Sequence, residues 1–236
     1  MKRDHWTPEK LAELEKRMDE TPLVCGIDEV GRGPLAGPVV ACAIIMPHGK
    51  RIDGVRDSKK LSERKREALY EQILSSCIAW GMGISDERMI DQINIRQATL
   101  VAMRDAVRCL RNRGGVRVQP DLLVIDAETI DTDLPQVSVI HGDDRIYAIS
   151  CASIVAKVAR DRLMVAYDGI FPHYGFAQHK GYGTRKHLEA IRTYGQLPIH
   201  RASFLHERNA PNGSEPIPPA DPPEPIHPSP NDRTEG

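Results

Sequence analysis

The sequence predicts an α/β fold, a mixed sheet covered by helices, on three observations. Two short apolar runs come first, separated by glycine- and proline-rich turns, as in a wide hairpin. Later apolar runs alternate with segments of helical periodicity, the order that builds a sheet flanked by helices. One run, Leu122–Ile125, is apolar at every position, as expected of a strand buried on both faces.

The elements follow in order. Thr7 and Pro8 open a short amphipathic helix through Leu11, Leu14 and Met18, with Thr7 as N-cap and Pro8 in the first turn. Leu23–Ile27 and Val39–Met46 are the hairpin strands, and the segments Gly31 to Pro34 and Gly37-Pro38 turn the chain between them. Ser62 precedes a helix to about Ser75 with Leu69 and Ile73 on its apolar side, and Ile78–Ile84 is a third strand. A longer helix runs from about Asn94 to Arg111 on the spacing of Leu100, Val107 and Leu110, and Gly114-Gly115 ends it. Leu122–Ile125 and Val137–Ile140 add two strands. Ser153 to about Asp168 is helical, as is Lys186–Tyr194 in a basic region. From Asn209 onward nine of the eighteen prolines fall in 28 residues with almost no apolar side chains, too little to offset ordering entropy. The expected organisation is an N-terminal helical segment (1–22), one domain (23–208) with a small basic helical region from about 170, and a disordered tail (209–236).

A chain of 236 residues suits a single sizeable core. Its formal charge of −1 averages over unlike segments: the tail holds five acids and one base, leaving 31 bases against 28 acids in residues 1–208. Between Lys157 and Arg208 nine bases face four acids, an excess that suits phosphate binding and equally an ordinary solvated surface. Cys25, Cys42, Cys77, Cys109 and Cys151 are odd in number and widely spaced, with no Cys-x-x-Cys pair, and are expected to be small buried hydrophobes. The N-terminal twenty residues are charged throughout and no apolar run reaches membrane-spanning length, so a soluble, cytoplasmic protein with no membrane partner is expected.

Four carboxylates stand where acids are expensive. Asp28 and Glu29 end the first strand and Asp126 ends the central apolar one; in open α/β sheets ligands bind at the carboxyl ends of strands. Asp161 interrupts the stripe of Ile154, Val158 and Val165 on its helix. Each has a plain alternative, a turn residue for the first three and a buried ion pair with Lys157, Arg160 or Arg162 for Asp161. If the sheet gathers all four, each like-charged pair about 5 Å apart costs about 3 kcal/mol at an effective dielectric near 20. Such a cluster takes up protons or binds cations. Oxygen ligands without paired histidines or thiolates favour Mg²⁺ or Mn²⁺, and two such ions suit phosphodiester hydrolysis.

The segment Gly26 to Val40, reading GIDEVGRGPLAGPVV, closely resembles the opening motif of the bacterial type-2 ribonucleases H. Asp57 to Ser62, Ile125-Asp126-Ala127, Ala152 to Arg162 and His179 to Thr184 are similar to later blocks of that family, in its order, and the likeness spans about Val24 to Phe204. The resemblance implies a ribonuclease-H-like fold with a mixed five-stranded sheet and metal-binding acids at Asp28, Glu29, Asp126 and Asp161. It implies an endonuclease with two divalent ions, Mn²⁺ or Mg²⁺, acting on RNA-DNA hybrids and on duplex DNA with embedded ribonucleotides, in ribonucleotide and primer removal. Gly31, Arg32 and Gly33 would contact the 2′-hydroxyl and adjoining phosphate at an RNA-to-DNA junction, and Tyr182 would lie against the following sugar. Lys59, Lys60 and Lys180 are expected near the substrate backbone, and Arg185, Lys186, Arg192 and Arg201 resemble a nucleic-acid-binding region. His179 and His187 are expected at the surface or facing substrate. Asp-Ala stands at 126–127 where some members have Asp-Gly. Only about 22 residues precede the first strand, which argues for type 2 over type 3, and a monomer is the family default. The rivals are a DNA nuclease of the same fold and a noncatalytic hybrid-binding protein.

Overall fold

The computed structural model describes residues 6–49, 51–55 and 61–209. The chain opens with helix α1 (Pro8–Asp19), where the Thr7 hydroxyl caps the amide of Lys10 as its sequence position predicts. Among the described residues five strands follow: β1 (Val24–Val30), β2 (Val39–Ile45), β3 (Ala79–Ser85), β4 (Leu122–Asp126) and β5 (Gln136–Val139). They form one mixed sheet in the order β3-β2-β1-β4-β5. The β1–β2 and β2–β3 pairs are antiparallel and the β1–β4 and β4–β5 pairs parallel, so the hairpin and the α/β half share β1 at the centre.

Helix α2 (Glu63–Ser76) carries the Ser62 cap, and α3 (Glu87–Arg108) crosses behind the sheet. After β5 come α4 (Gly142–Arg145), the 24-residue α5 (Tyr147–Ile170), α6 (Phe176–His179), α7 (Arg185–Tyr194) and α8 (Ala202–Asn209). Strand alternation sorts β1 between two cores. Cys25 and Ile27 join Ala41, Ala43 and Ile45 beneath Ala98, Ala102 and Ala106 of α3. Gly26 and Asp28 face the other way, toward α5. A Cβ on Gly26 would strike the main chain of Ala148 and Ile149, so glycine there is what lets α5 lie close enough to deliver its side chains to the end of β1.

Several boundaries differ from the sequence reading. The long helix begins seven residues earlier, because Asp86 caps a first segment and the chain kinks at Asn94 (φ 66°), whose own side chain caps the second segment at Gln97. The periodicity registered only that second segment. Helix α5 starts at Tyr147, without a capping side chain, and not at Ser153, whose hydroxyl bonds Asp28. Val165 is 46% exposed, so the buried stripe around Asp161 is completed by Met164. Cysteines 25, 42, 77 and 151 are buried as expected, whereas Cys109, at the end of α3, is exposed; all five are free. Among the described residues no helix is long and apolar enough to cross a membrane. The expected tail lies outside the described residues from 210 onward.

Candidate active site

Strand β1 continues past the last rung of its pairing with β4, Ile27 to Ile125, while staying paired to β2 through Asp28–Cys42 and Glu29–Ala41. Asp28 and Glu29 therefore lie inside a strand and beside the end of β4, where Asp126 is the final residue. Asp28 is 4% exposed. One of its oxygens accepts the Glu29 amide at 2.8 Å, and the Ser153 hydroxyl of α5 also bonds it. Burial, with Glu29 and Asp126 adding repulsion, pushes its carboxyl well above the ordinary carboxylate range. Glu29 is raised too, by burial, with Arg32 opposing and Asp126 and Glu128 reinforcing. Asp126 accepts the Gly142 amide at 2.7 Å.

Three predicted acids thus share one electrostatic site. The fourth, Asp161, is buried two helical turns beyond Ser153, with one oxygen 2.6 Å from the Lys157 ammonium and the other 3.7 Å from Arg66. Of the three alternative partners, Lys157 is the one it meets; Arg162 instead binds Glu67. Among the described residues no group of three or more acid, histidine or cysteine side chains is arranged to hold a metal ion. The donors nonetheless fit a hard divalent cation: they are oxygens, they repel one another, and Glu29 Oε2 is buried without a hydrogen-bond partner.

Around the acids stands the loop after β1. Gly31 adopts φ +93°, and a Cβ there would strike Arg160, so the position requires glycine. The Arg32 guanidinium lies 3.4 Å from both Glu29 Oε1 and Glu128 Oε1, and Glu128 Oε2 meets Arg96 at 3.1 Å. Glu128 is buried and was missed by sequence reasoning; its spacing, two residues after Asp126, was the available signal. Tyr182 is 43% exposed, its ring edge 3.7 Å from where a Gly33 Cβ would sit, so the two junction-reading candidates adjoin. Lys180 is largely buried, its ammonium turned to the Ala177 carbonyl and 3.9 Å from Glu63. Lys59 and Lys60 lie outside the described residues.

The basic region divides. Arg185, Lys186 and Arg192 are exposed, but Arg201 is completely buried and presents no charge to solvent. His187 is also buried, against expectation, because it belongs to a three-histidine cluster. The Gly181 amide donates to His179 Nδ1, leaving His179 Nε2–H for the Tyr174 carbonyl at 2.7 Å. The Leu197 amide donates to His200 Nδ1, so His200 Nε2–H points at His187 Nε2, 3.0 Å away, and His187 Nδ1–H donates to the Tyr182 carbonyl. Every ring is satisfied as a neutral imidazole, and burial lowers His187 to about 4 and His200 to about 3.

A family model for ribonuclease HII matches residues 25–207. A ribonuclease HII of Lachnoclostridium phytofermentans is 53% identical over 196 residues, 83% of this chain and 75% of that protein. One from Alkaliphilus metalliredigens is 53% identical over 182 residues, covering 77% and 89%. Among solved structures, ribonuclease H2 from Pyrococcus horikoshii aligns at a TM-score of 0.65 with 24% identity, covering 79% of this chain and 95% of that one. Fold and matches together define an enzyme of the ribonuclease H class. Within that class, the chain belongs to the bacterial ribonuclease HII family.

Proposed function

We propose that the chain cleaves the RNA strand of RNA-DNA hybrids and incises duplex DNA on the 5′ side of an embedded ribonucleotide, leaving a 3′-hydroxyl and a 5′-phosphate. The observation that carries this reading is the crowding of Asp28, Glu29 and Asp126, with one orphaned carboxylate oxygen, beside the Gly31–Gly33 loop and Tyr182. Two Mg²⁺ or Mn²⁺ ions would be held by Asp28, Glu29, Asp126 and Asp161, and when bound would activate water and stabilise the leaving oxygen.

The chain's own residues supply the rest. Asp161 serves the site by turning from Lys157 and Arg66 to the metal, which leaves both cations beside the incoming phosphates. Glycines 31 and 33 admit the sugar-phosphate backbone closely, and a 2′-hydroxyl there distinguishes RNA from DNA. Tyr182 offers its ring to the following sugar. Arg32 presents a guanidinium to the adjoining phosphate, and the exposed Arg185, Lys186 and Arg192 extend a positive track along the duplex. Lys59, Lys60 and Lys180 are assigned to the same backbone. A cytoplasmic monomer acting in ribonucleotide and primer removal is the matching setting.

The test is cleavage of a labelled duplex carrying one ribonucleotide, against an all-DNA control, with Mg²⁺, Mn²⁺ or chelator. Metal-dependent cutting only at the 5′ side of the ribonucleotide is expected, and Asp126→Asn should abolish it while the protein stays folded. Equal cutting of all-DNA would make the chain a general nuclease; binding without turnover under every metal would make it a hybrid-binding protein.

A further inference from the structure

Among the described residues Arg160 and Arg201 are the two bulkiest side chains that are completely buried, both at 0% exposure. Burying a guanidinium costs several kcal/mol unless its donors are met. Here the donors are directed at main-chain carbonyls. Arg201, which precedes α8, donates to Gly31 O (2.6 Å), Arg32 O (2.9 Å) and Gly37 O (2.6 and 2.9 Å). Arg160, next to Asp161 on α5, donates to Ala36 O and Pro38 O at 3.0 Å and to Lys180 O at 2.9 Å.

The consequence follows from peptide geometry. In a trans peptide the carbonyl and the N–H point in opposite directions. Turning the Gly31 and Arg32 carbonyls inward onto Arg201 turns the Arg32 and Gly33 amides outward. Among the described residues neither amide donates a hydrogen bond. Two adjacent outward amides form a concavity that suits an anionic or hydroxyl oxygen. Arg160 ties the same loop to the tyrosine segment, where the Leu35 amide donates to Gly181 O at 2.8 Å and His187 holds the Tyr182 carbonyl.

We propose that Arg201, seconded by Arg160, is a positioning residue for ribonucleotide recognition: it touches no substrate, and it sets the two amides and the Tyr182 segment in the register that reads the 2′-hydroxyl. This rests on the junction reading proposed above. Buried from solvent, Arg201 acts through main-chain orientation and not through its charge on the phosphates.

The experiment compares binding of a one-ribonucleotide duplex and the same all-DNA duplex, in chelator so that neither is cut, by wild type and Arg201→Lys. Lysine keeps a cation but cannot reach three carbonyls. The expected result is a ribonucleotide preference reduced about 10- to 100-fold with all-DNA affinity unchanged, the scale of a 1 Å misplacement. A folded Arg201→Lys protein that keeps the wild-type preference overturns the proposal while leaving the junction reading intact. A wild type that neither prefers the ribonucleotide duplex in chelator nor cuts it once Mg²⁺ or Mn²⁺ is supplied overturns the junction reading, and this proposal with it. Should Arg201→Lys fail to fold, hydrogen exchange on the wild type decides: the Leu35, Gly37 and Arg201 amides, bonded at 2.8–2.9 Å across the clamp, should exchange only through global unfolding. Exchange by local opening of the 31–37 loop would overturn the proposal.

Discussion

Replacing Asp28 by Asn separates a cation site from a structural acid. In the metal-free protein the Asp28 carboxylate is buried against Glu29 and Asp126, and both repel it. Carboxylates about 5 Å apart repel by about 3 kcal/mol at an effective dielectric near 20. Asparagine is nearly isosteric, its carbonyl can still accept the Glu29 amide, and its NH₂ can donate to Ser153, so both hydrogen bonds persist. The variant should therefore be more stable than wild type in chelator at pH 7, by about 2–4 kcal/mol after relaxation. For a chain of this size that corresponds to a rise in Tm of roughly 5–15 °C. Saturating Mn²⁺ should stabilise the wild type by mass action and the variant far less, reversing the order, with cleavage lost in the variant throughout. Thermal unfolding with chelator and with Mn²⁺ reads both. A variant less stable than wild type in chelator would show that the carboxylate charge is satisfied by its hydrogen bonds, and the electrostatic argument for a cation site would fail.

Three further outcomes are expected. His187 and His200 have folded values depressed to about 4 and about 3 from an ordinary 6.5, so their contribution is complete above pH 6.5 and is lost as pH falls through about 4 for His187 and about 3 for His200. The unfolding free energy from urea titration should drop steeply over that window, by several kcal/mol in all, and His187→Gln should flatten the drop. Ala127 sits at φ +51°, which costs a residue with a Cβ about 1–2 kcal/mol. Ala127→Gly should therefore leave Tm unchanged or raised, although an ordinary Ala to Gly change lowers stability. Glu128→Gln frees one side of Arg32, and should raise KM for the one-ribonucleotide duplex several-fold with kcat nearly constant; a matching fall in kcat would mean that Glu128 serves the acids instead.

The sequence by itself determined the strand-rich half of the fold and the chemistry at its centre. Alternating and continuous apolar runs report which segments become strands, and an acid ending such a run is visible without knowing what lies beside it. Leu122–Ile125 with Asp126 is the clearest case, and the motif around Asp28 and Glu29 carried the family. Local spacing does not report which neighbour arrives from a distant part of the chain. Hence the sequence counted Arg201 and His187 as surface groups, whereas long-range packing buries both, and it could not pair Glu128 with Arg32 or Arg66 with Asp161. Ser153 was expected to begin its helix, yet the helix starts at Tyr147 and the Ser153 hydroxyl is claimed by Asp28 across the α5–β1 contact. Ala127 looked like a neutral departure until its backbone was seen in the left-handed region that glycine favours. Burial, charge pairing and backbone sign are properties of contacts between remote segments, so only the tertiary structure decided them.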